Sequence, residues 1–232
     1  MPLRAHLEEL RRVLLVSGAA WCLASLAALA FHAELLAIAL HPLMLALPDA
    51  RPVFLNPLQG MTIPLELAGL AGLLVSVPVM SWQGWRFVKP ALRRQERRMG
   101  LPFITSGILL FYCGALFAYL VLPIGLSFLA RFMGSSITYL PDVGQYLSFF
   151  LLVIAIFGIT FEFPLLLVTL AGMHVFSSSM LRRRRKAIII GIIFFALIIT
   201  PGADPFTPTA LAIPMILLFE ASIAVIDHAM NR

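Results

Sequence analysis

The chain alternates long, uninterrupted apolar stretches with short polar connections. A helix needs about 20 apolar residues to cross a membrane, and six stretches reach or approach that length. Because their apolar residues are continuous and do not alternate with polar ones, the pattern favours helices over a membrane barrel. The predicted transmembrane spans cover residues 13–31, 63–85, 101–130, 146–172, 187–200 and 210–226.

Two apolar stretches are shorter than a standard crossing. The stretch 187–200 rises only about 21 Å as a helix, less than the hydrocarbon thickness of about 30 Å. Either the bilayer thins beside it or the preceding basic side chains extend to the surface. The stretch 35–47 contains His41 and Pro42, and its length is typical of an interfacial helix, predicted at about 33–47. A seventh span there would place the N-terminal arginines opposite the other basic connections, so six spans are favoured.

Prolines lie inside four of the six predicted spans. Each proline removes a backbone donor and tends to kink its helix. We therefore predict a single polytopic, all-α integral membrane domain over residues 1–232, with six kinked transmembrane helices in a curved or concave arrangement. The prolines concerned are Pro64, Pro78, Pro123, Pro164 and Pro214.

The composition excludes an ordinary soluble domain. Hydrophobic residues make up 61% of the chain and charged residues 12%, with a mean hydropathy of +0.98, against roughly half and a quarter in soluble domains. Fifteen of the 17 lysines and arginines fall in connections on one predicted side. Basic residues mark the cytoplasmic side, so we predict an inner-membrane protein with both termini in the cytoplasm. The net charge of +6 follows from this topology and does not indicate a nucleic-acid partner.

Two glutamates interrupt the predicted spans. Glu162 lies sixteen residues into the fourth span, about 24 Å along its axis, and Glu220 lies ten residues into the sixth. Carboxyl groups inside a membrane are costly unless protonated, paired or hydrated, and they often mark function. The structural alternatives are a neutral Glu162 hydrogen-bonded to Gln83 or Thr105, and a Glu220 reached by water. A functional alternative is a secondary transporter or proton channel that uses both glutamates.

Three further carboxylates, Glu8, Glu9 and Glu96, lie at the predicted cytoplasmic surface. Two separated carboxylates there can each accept a guanidinium group through a bidentate, charge-assisted pair. The structural alternative is local pairing, for example between Glu8 and Arg12 one helical turn away.

No catalytic motif accompanies these residues. The chain lacks the HExxH, Gly-x-Ser-x-Gly and P-loop patterns and the paired aspartates of an intramembrane protease. Its two cysteines, Cys22 and Cys113, have no CxxC spacing. We therefore expect no enzyme, no metal site and no cofactor.

Motifs along the chain occur in the order found in one protein family. Each motif alone is weak, but the ordered set runs from His6 to about Asp227 and covers nearly the whole chain. It resembles TatC, the cargo-recognising subunit of the twin-arginine (Sec-independent) protein translocase. The motifs are His6 to Arg12, Trp82 to Leu92 followed by Glu96-Arg97-Arg98, Phe111 to Tyr119, Phe157-Gly158 with Phe161 to Pro164, Thr200-Pro201 with Asp204, and Ala212 to Pro214 with Phe219-Glu220.

The resemblance implies a receptor and assembly scaffold. Such a subunit binds the twin-arginine signal peptides of folded cargo, associates with TatA- and TatB-type single-span subunits, and supports export driven by the proton-motive force. Membrane lipids and further copies of the chain are additional candidate partners.

The resemblance also implies residue roles. The signal-peptide site would consist of Glu9 and Glu96, which accept the arginine pair, with Arg11 and Phe87 shaping the site. Glu162 would be the polar residue on the concave membrane face, and we group it with Gln83 and Glu220 as a site for partner helices. Pro42 and Asp204 would match functional positions in the outer loops.

Overall fold

The computed structural model describes residues 3–89, 100–131, 140–173, 175–200 and 204–230. Within these ranges the regular structure is helical, apart from an isolated β-bridge between Val53 and Asp142. A 3-10 turn, Leu29–Phe31, joins the first two helices. The helices are α1 (Leu3–Ala28), α2 (His32–Ala46), α3 (Gln59–Val88), α4 (Gly100–Ala130), α5 (Val143–Thr160), α6 (Phe163–Gly172), α7 (Ser178–Arg183), α8 (Arg185–Ile199) and α9 (Phe206–Met230).

Five helical segments of the described chain are long and apolar enough to cross a membrane, which confirms the all-helical membrane class. They are Glu8–Ala46, Gln59–Val88, Gly100–Ala130, Val143–Gly172 and Phe206–His228. Helix α8 has 15 residues and rises about 22 Å, so it falls below that length. Its role as a sixth crossing stays a prediction.

Most of the prolines do not interrupt their helices. Helices α3, α4 and α9 continue through the prolines that they contain. The chain leaves helical structure before Pro164, where Phe161 and Glu162 form a turn between α5 and α6. Pro164 then lies in the first turn of α6, where its missing N–H would have no helical acceptor.

One end of the bundle gathers α2 with the first turns of α3 and α5, and we call it the cap end (residues 35–59 and 140–148). Gln59, the first residue of α3, donates to Asp142 just before α5. Tyr146, in the first turn of α5, donates to the Ala39 carbonyl oxygen in α2 at 2.7 Å. Because α1 leads into α2, α1 runs toward the cap end and α3 runs away from it.

The opposite end carries basic side chains, and we call it the basic end (residues 86–89 and 182–186). The end of α3 meets the start of α4 there, since the Trp85 and Phe103 rings pack 5.2 Å apart. Helix α4 returns to the cap end, where Phe128 stacks on Phe206 at 6.1 Å. Helix α9 therefore starts at the cap end and finishes at the basic end, so the start of α1 and the end of α9 both lie at the basic end.

Helix α5 lies at the centre of the packed core. Its residues Leu147 and Phe157 are fully buried, as is Phe219 of α9. Helix α4 approaches α5 so closely that a β-carbon at Gly114 would lie 2.5 Å from the Phe157 carbonyl oxygen. Close contacts of this kind between membrane helices require glycine.

Helix α1 packs along α3 and leaves its opposite face uncovered. Trp21 Nε1 donates to the Gly69 carbonyl oxygen at 2.8 Å, and Gly72 lies against Ser25. The uncovered face is apolar, as expected for a surface that contacts lipid. Its exposed residues include Leu14, Leu15, Leu23 and Leu26.

Candidate functional site

Three of the four residues of the predicted signal-peptide site lie in the described chain, at the basic end. Glu9 and Arg11 belong to the beginning of α1, and Phe87 belongs to the last turn of α3. Glu9 is partly covered, whereas the neighbouring Glu8 is exposed. Glu96 lies outside the described residues, in 90–99. The three described residues are therefore gathered at one end of the bundle, beside the connection that carries the fourth.

Glu162 lies in the turn between α5 and α6 and is half-buried against α3 and α4. A β-carbon at Gly107 of α4 would lie 3.6 Å from Glu162 Oε2 and 3.2 Å from Ser81 Oγ of α3. At 3.6 Å that β-carbon would be in ordinary contact with the carboxyl oxygen, so Glu162 lies beside α4 at Gly107, with Ser81 of α3 and Leu165 of α6 close to the same point.

The described structure does not show the hydrogen bonds of the structural alternative for Glu162. The Thr105 hydroxyl instead donates to carbonyl oxygens of its own helix, Leu101 at 2.9 Å and Pro102 at 3.1 Å. Gln83 is buried in α3, but it does not donate to Glu162 in the described structure. Neither Thr105 nor Gln83 therefore donates to the Glu162 carboxyl, which lies near Gly107.

Glu220 forms an ion pair at the basic end. Its Oε1 lies 2.5 Å from Arg185 Nε, at an angle that does not make a regular hydrogen bond. Two turns further along α9, Asp227 pairs with Arg182. All four side chains are partly exposed, so each pair contributes little to stability by itself. Glu162 and Glu220 have different neighbours, since the first lies beside Gly107 and the second pairs with Arg185.

Pro42 is buried inside α2, where it leaves a backbone carbonyl without its helical donor. The affected acceptor is the Ile38 oxygen, four residues earlier. The Tyr119 hydroxyl of α4 donates to that oxygen at 3.1 Å and lies 3.3 Å from His41 Nδ1. Pro42 therefore lies where α2 is fixed to α4.

Asp204 caps the beginning of α9. Its two carboxylate oxygens accept from the Thr207 amide at 2.6 Å and the Thr207 hydroxyl at 3.0 Å. Side-chain acceptors at helix starts commonly serve such unpaired amides. The geometry gives Asp204 a structural role in the connection before α9.

Asp142 and Glu66 are polar residues near the cap end that the sequence reasoning did not single out. Asp142 caps α5 and also accepts from Gln59. Desolvation raises the pKa of Asp142, but hydrogen bonds from the Gln59 side chain and from backbone amides lower it by more in total. Glu66 is an exposed carboxyl inside α3, and the available signal was a single acidic residue within an otherwise apolar stretch.

Comparison with known proteins identifies the family. A family model described as Sec-independent protein translocase protein (TatC) matches residues 5–214.

In the described residues, no group of three histidine, cysteine, aspartate or glutamate side chains is placed to hold a metal ion.

Two curated relatives carry the name Sec-independent protein translocase protein TatC. The protein of Frankia casuarinae is 35% identical over 97% of this chain, which spans 65% of that relative's length. The protein of Azotobacter chroococcum is 36% identical over 96% of this chain and 88% of its own length.

A solved structure has the same fold. It is described as the crystal structure of the twin-arginine translocase receptor TatC, and it is 35% identical with a TM-score of 0.83. The similarity covers 98% of this chain and all of that one. The chain therefore belongs to the TatC family of Sec-independent protein translocase proteins.

Proposed function

We propose that the chain is the core receptor subunit of a twin-arginine translocation system. The observation that carries this proposal is the similarity, over nearly the whole chain, to a structure described as the twin-arginine translocase receptor. In this role the protein binds the signal peptides of folded cargo, and TatA- and TatB-type subunits join it for export driven by the proton-motive force. A subunit of this kind is a transport component and not an enzyme.

The proposed topology places the basic end in the cytoplasm and the cap end outside. Helix α8 is then the sixth crossing, and both termini are cytoplasmic. The distribution of lysine and arginine supports this orientation, because cytoplasmic connections of membrane proteins are enriched in both. Arg183, Arg184 and Lys186 are all exposed at the basic end.

The proposed recognition step is acceptance of the signal's two guanidinium groups by Glu9 and Glu96. Each arginine can form two parallel hydrogen bonds with a carboxylate, and lysine cannot reproduce that geometry. Arg11 and Phe87 flank the site and shape it. The partial burial of Glu9 supports its role, since a partly covered carboxylate is better positioned than a freely solvated one.

This proposal is tested by photocrosslinking a twin-arginine peptide to membranes that contain Glu9→Gln, Glu96→Gln or the control Glu8→Gln. We expect the first two variants to lose at least about tenfold in crosslinking, the effect of one charge-assisted pair. Glu8→Gln should bind normally, because Glu8 is exposed. A paired-lysine peptide should crosslink poorly throughout. Normal crosslinking of Glu96→Gln would contradict the assignment.

The proposed partner site is the membrane-embedded group of Glu162, Gln83 and Glu220, with Pro42 and Asp204 supporting the outer connections. Glu162 is the strongest member, because its half-buried carboxyl lies beside Gly107 of α4, close to Ser81 of α3. We expect Glu162→Ala to reduce co-purification of a single-span partner, measured against Thr169→Ala, whose hydroxyl bonds within its own helix. Equal partner recovery from both variants would remove Glu162 from the site.

A further inference from the structure

A polar cavity lies at the cap end, between the first turns of α3 and α5. Its volume is about 420 Å³, and it is open to the surface. Six of its eight lining residues have polar side chains, although both helices are predominantly apolar. The polar side chains are Gln59, Thr62 and Glu66 from α3, Gln145 and Ser148 from α5, and Asp142 immediately before α5.

The cavity contains two acceptors that the described chain does not use. Asp142 is already satisfied by Gln59 and by the amides of Gly144 and Gln145. Glu66 has no ion pair or hydrogen bond among the described residues, and it is exposed. Gln59 Oε1 also lacks a donor, but it is buried out of reach of an incoming group. No basic side chain lines the cavity, so the exposed Glu66 carboxyl is the acceptor that remains for an incoming donor.

The cavity also contains neutral donors. The hydroxyl groups of Thr62 and Ser148 and the amide of Gln145 line the same cavity as Glu66. Glu66 lies about 10 Å along α3 from its first residue, and Ser148 lies about 8 Å along α5. The headgroup layer is about 5–7 Å thick on each side of the hydrocarbon. These side chains therefore reach the boundary between headgroups and hydrocarbon when both helices begin at the membrane surface.

We propose that this cavity binds the headgroup of a zwitterionic aminophospholipid. The lipid's primary ammonium donates to the Glu66 carboxyl, and its phosphate accepts from Thr62, Gln145 and Ser148. A primary ammonium supplies N–H donors that can bond both oxygens of that carboxyl. A single cationic side chain from another protein would pair with Glu66, but it would leave the neutral donors that line the cavity without an acceptor.

The surface below the cavity fits an acyl chain. Leu152, one turn deeper on α5 than Ser148, is exposed. On α3, a side chain at Gly69 would meet nothing within 4 Å. The polar cavity thus continues into an open apolar surface, the arrangement that a phospholipid needs.

The proposal is tested by native mass spectrometry of the full chain in detergent, with three added lipids that share the same acyl chains. These are phosphatidylethanolamine, phosphatidylcholine, whose quaternary ammonium has no N–H donor, and anionic phosphatidylglycerol. We expect phosphatidylethanolamine to bind about tenfold more tightly than the other two, as for one charge-assisted hydrogen bond. Glu66→Gln should abolish that preference, and Glu66→Lys should shift it to phosphatidylglycerol.

The matched control is Glu34→Gln, which changes another exposed carboxyl, in the first turn of α2. This variant should keep the preference for phosphatidylethanolamine. The thermal midpoint without lipid establishes that each variant is folded. Equal binding of phosphatidylethanolamine and phosphatidylcholine to the unmodified chain would overturn the proposal. An unchanged lipid preference in folded Glu66→Gln would overturn it as well.

Discussion

Near Pro42, a backbone carbonyl group that has no amide donor in its own helix accepts a hydrogen bond from a hydroxyl group of another helix. The Ile38 oxygen would normally accept from residue 42, and Tyr119 donates to it instead. A second hydroxyl, from Tyr146, donates to Ala39 one residue further along. Because buried carbonyl groups without a partner are costly, these two tyrosines fix the position of α2 on α4 and α5.

The pairing of Pro42 with Tyr119 predicts a non-additive pair of substitutions. Tyr119→Phe should lower the unfolding free energy by about 1 kcal/mol, because the Ile38 oxygen loses its donor. In a Pro42→Ala background, Tyr119→Phe should lower the unfolding free energy by less than half as much, because the alanine amide can donate to the Ile38 oxygen. Thermal unfolding of the four proteins in detergent measures the coupling. Strict additivity would show that the Tyr119 hydroxyl does not replace the missing amide.

The sequence indicated which polar residues are unusual, but not how the chain satisfies them. Glu162 stood out as a carboxyl in an apolar stretch, yet its expected donor Thr105 bonds to its own helix. Glu220 pairs with Arg185 from a different element, a contact that depends on how α8 packs on α9. Hydrogen bonds between distant residues depend on side-chain directions, and apolar periodicity does not contain them.

At the scale of the helices, the glycines fall into two groups. Some lie at contacts where another backbone approaches, as Gly114 does against Phe157. Others lie on uncovered helix surfaces, as Gly18 does on α1, where an added β-carbon would meet nothing within 4 Å. The first group allows helices to approach each other closely, and the second carries no packing requirement.

This difference predicts opposite effects for two identical substitutions. Gly114→Ala should destabilise the protein by about 1–3 kcal/mol, because its β-carbon would collide with the Phe157 carbonyl and force α4 away from α5. Gly18→Ala should be neutral or stabilising by up to about 1 kcal/mol, because alanine favours helix. Thermal midpoints in the same detergent compare the two. Similar midpoints would mean that α4 and α5 adjust without cost.

The helices were more predictable than their connections and contacts. Continuous apolar stretches indicated the long helices, because lipid requires each backbone group to be bonded within its own segment. The stretch at 33–47 forms a helix, His32–Ala46, as its apolar length predicted. The turn at Phe161 and Glu162 was signalled by Pro164, whereas other prolines lie inside continuous helices. Proline therefore indicated where a helix could be interrupted, and local packing decided whether the helix continued.

At the scale of the whole molecule, the basic side chains of the described residues are concentrated at one end. Exposed arginines and Lys186 follow α7 at the basic end, whereas Arg51 lies in the connection from α2 to α3 at the cap end. This asymmetry predicts which end can be labelled from outside a cell. In a variant without Cys22 and Cys113, an impermeant maleimide should label Arg51→Cys in intact cells. Lys186→Cys should react only after the membrane is opened, and the reverse pattern would contradict the proposed orientation.

The short helix α8 has a consequence for the surrounding lipid. Its 15 residues provide about 22 Å of length, whereas the hydrocarbon layer measures about 30 Å. In the proposed topology, where α8 crosses the membrane, lipid tails beside it compress, or the arginines at its start draw water inward, to cover that difference. Either adjustment locally reduces the hydrocarbon thickness that a hydrated cargo protein has to cross. The barrier to crossing would then be lowest along this flank of the protein.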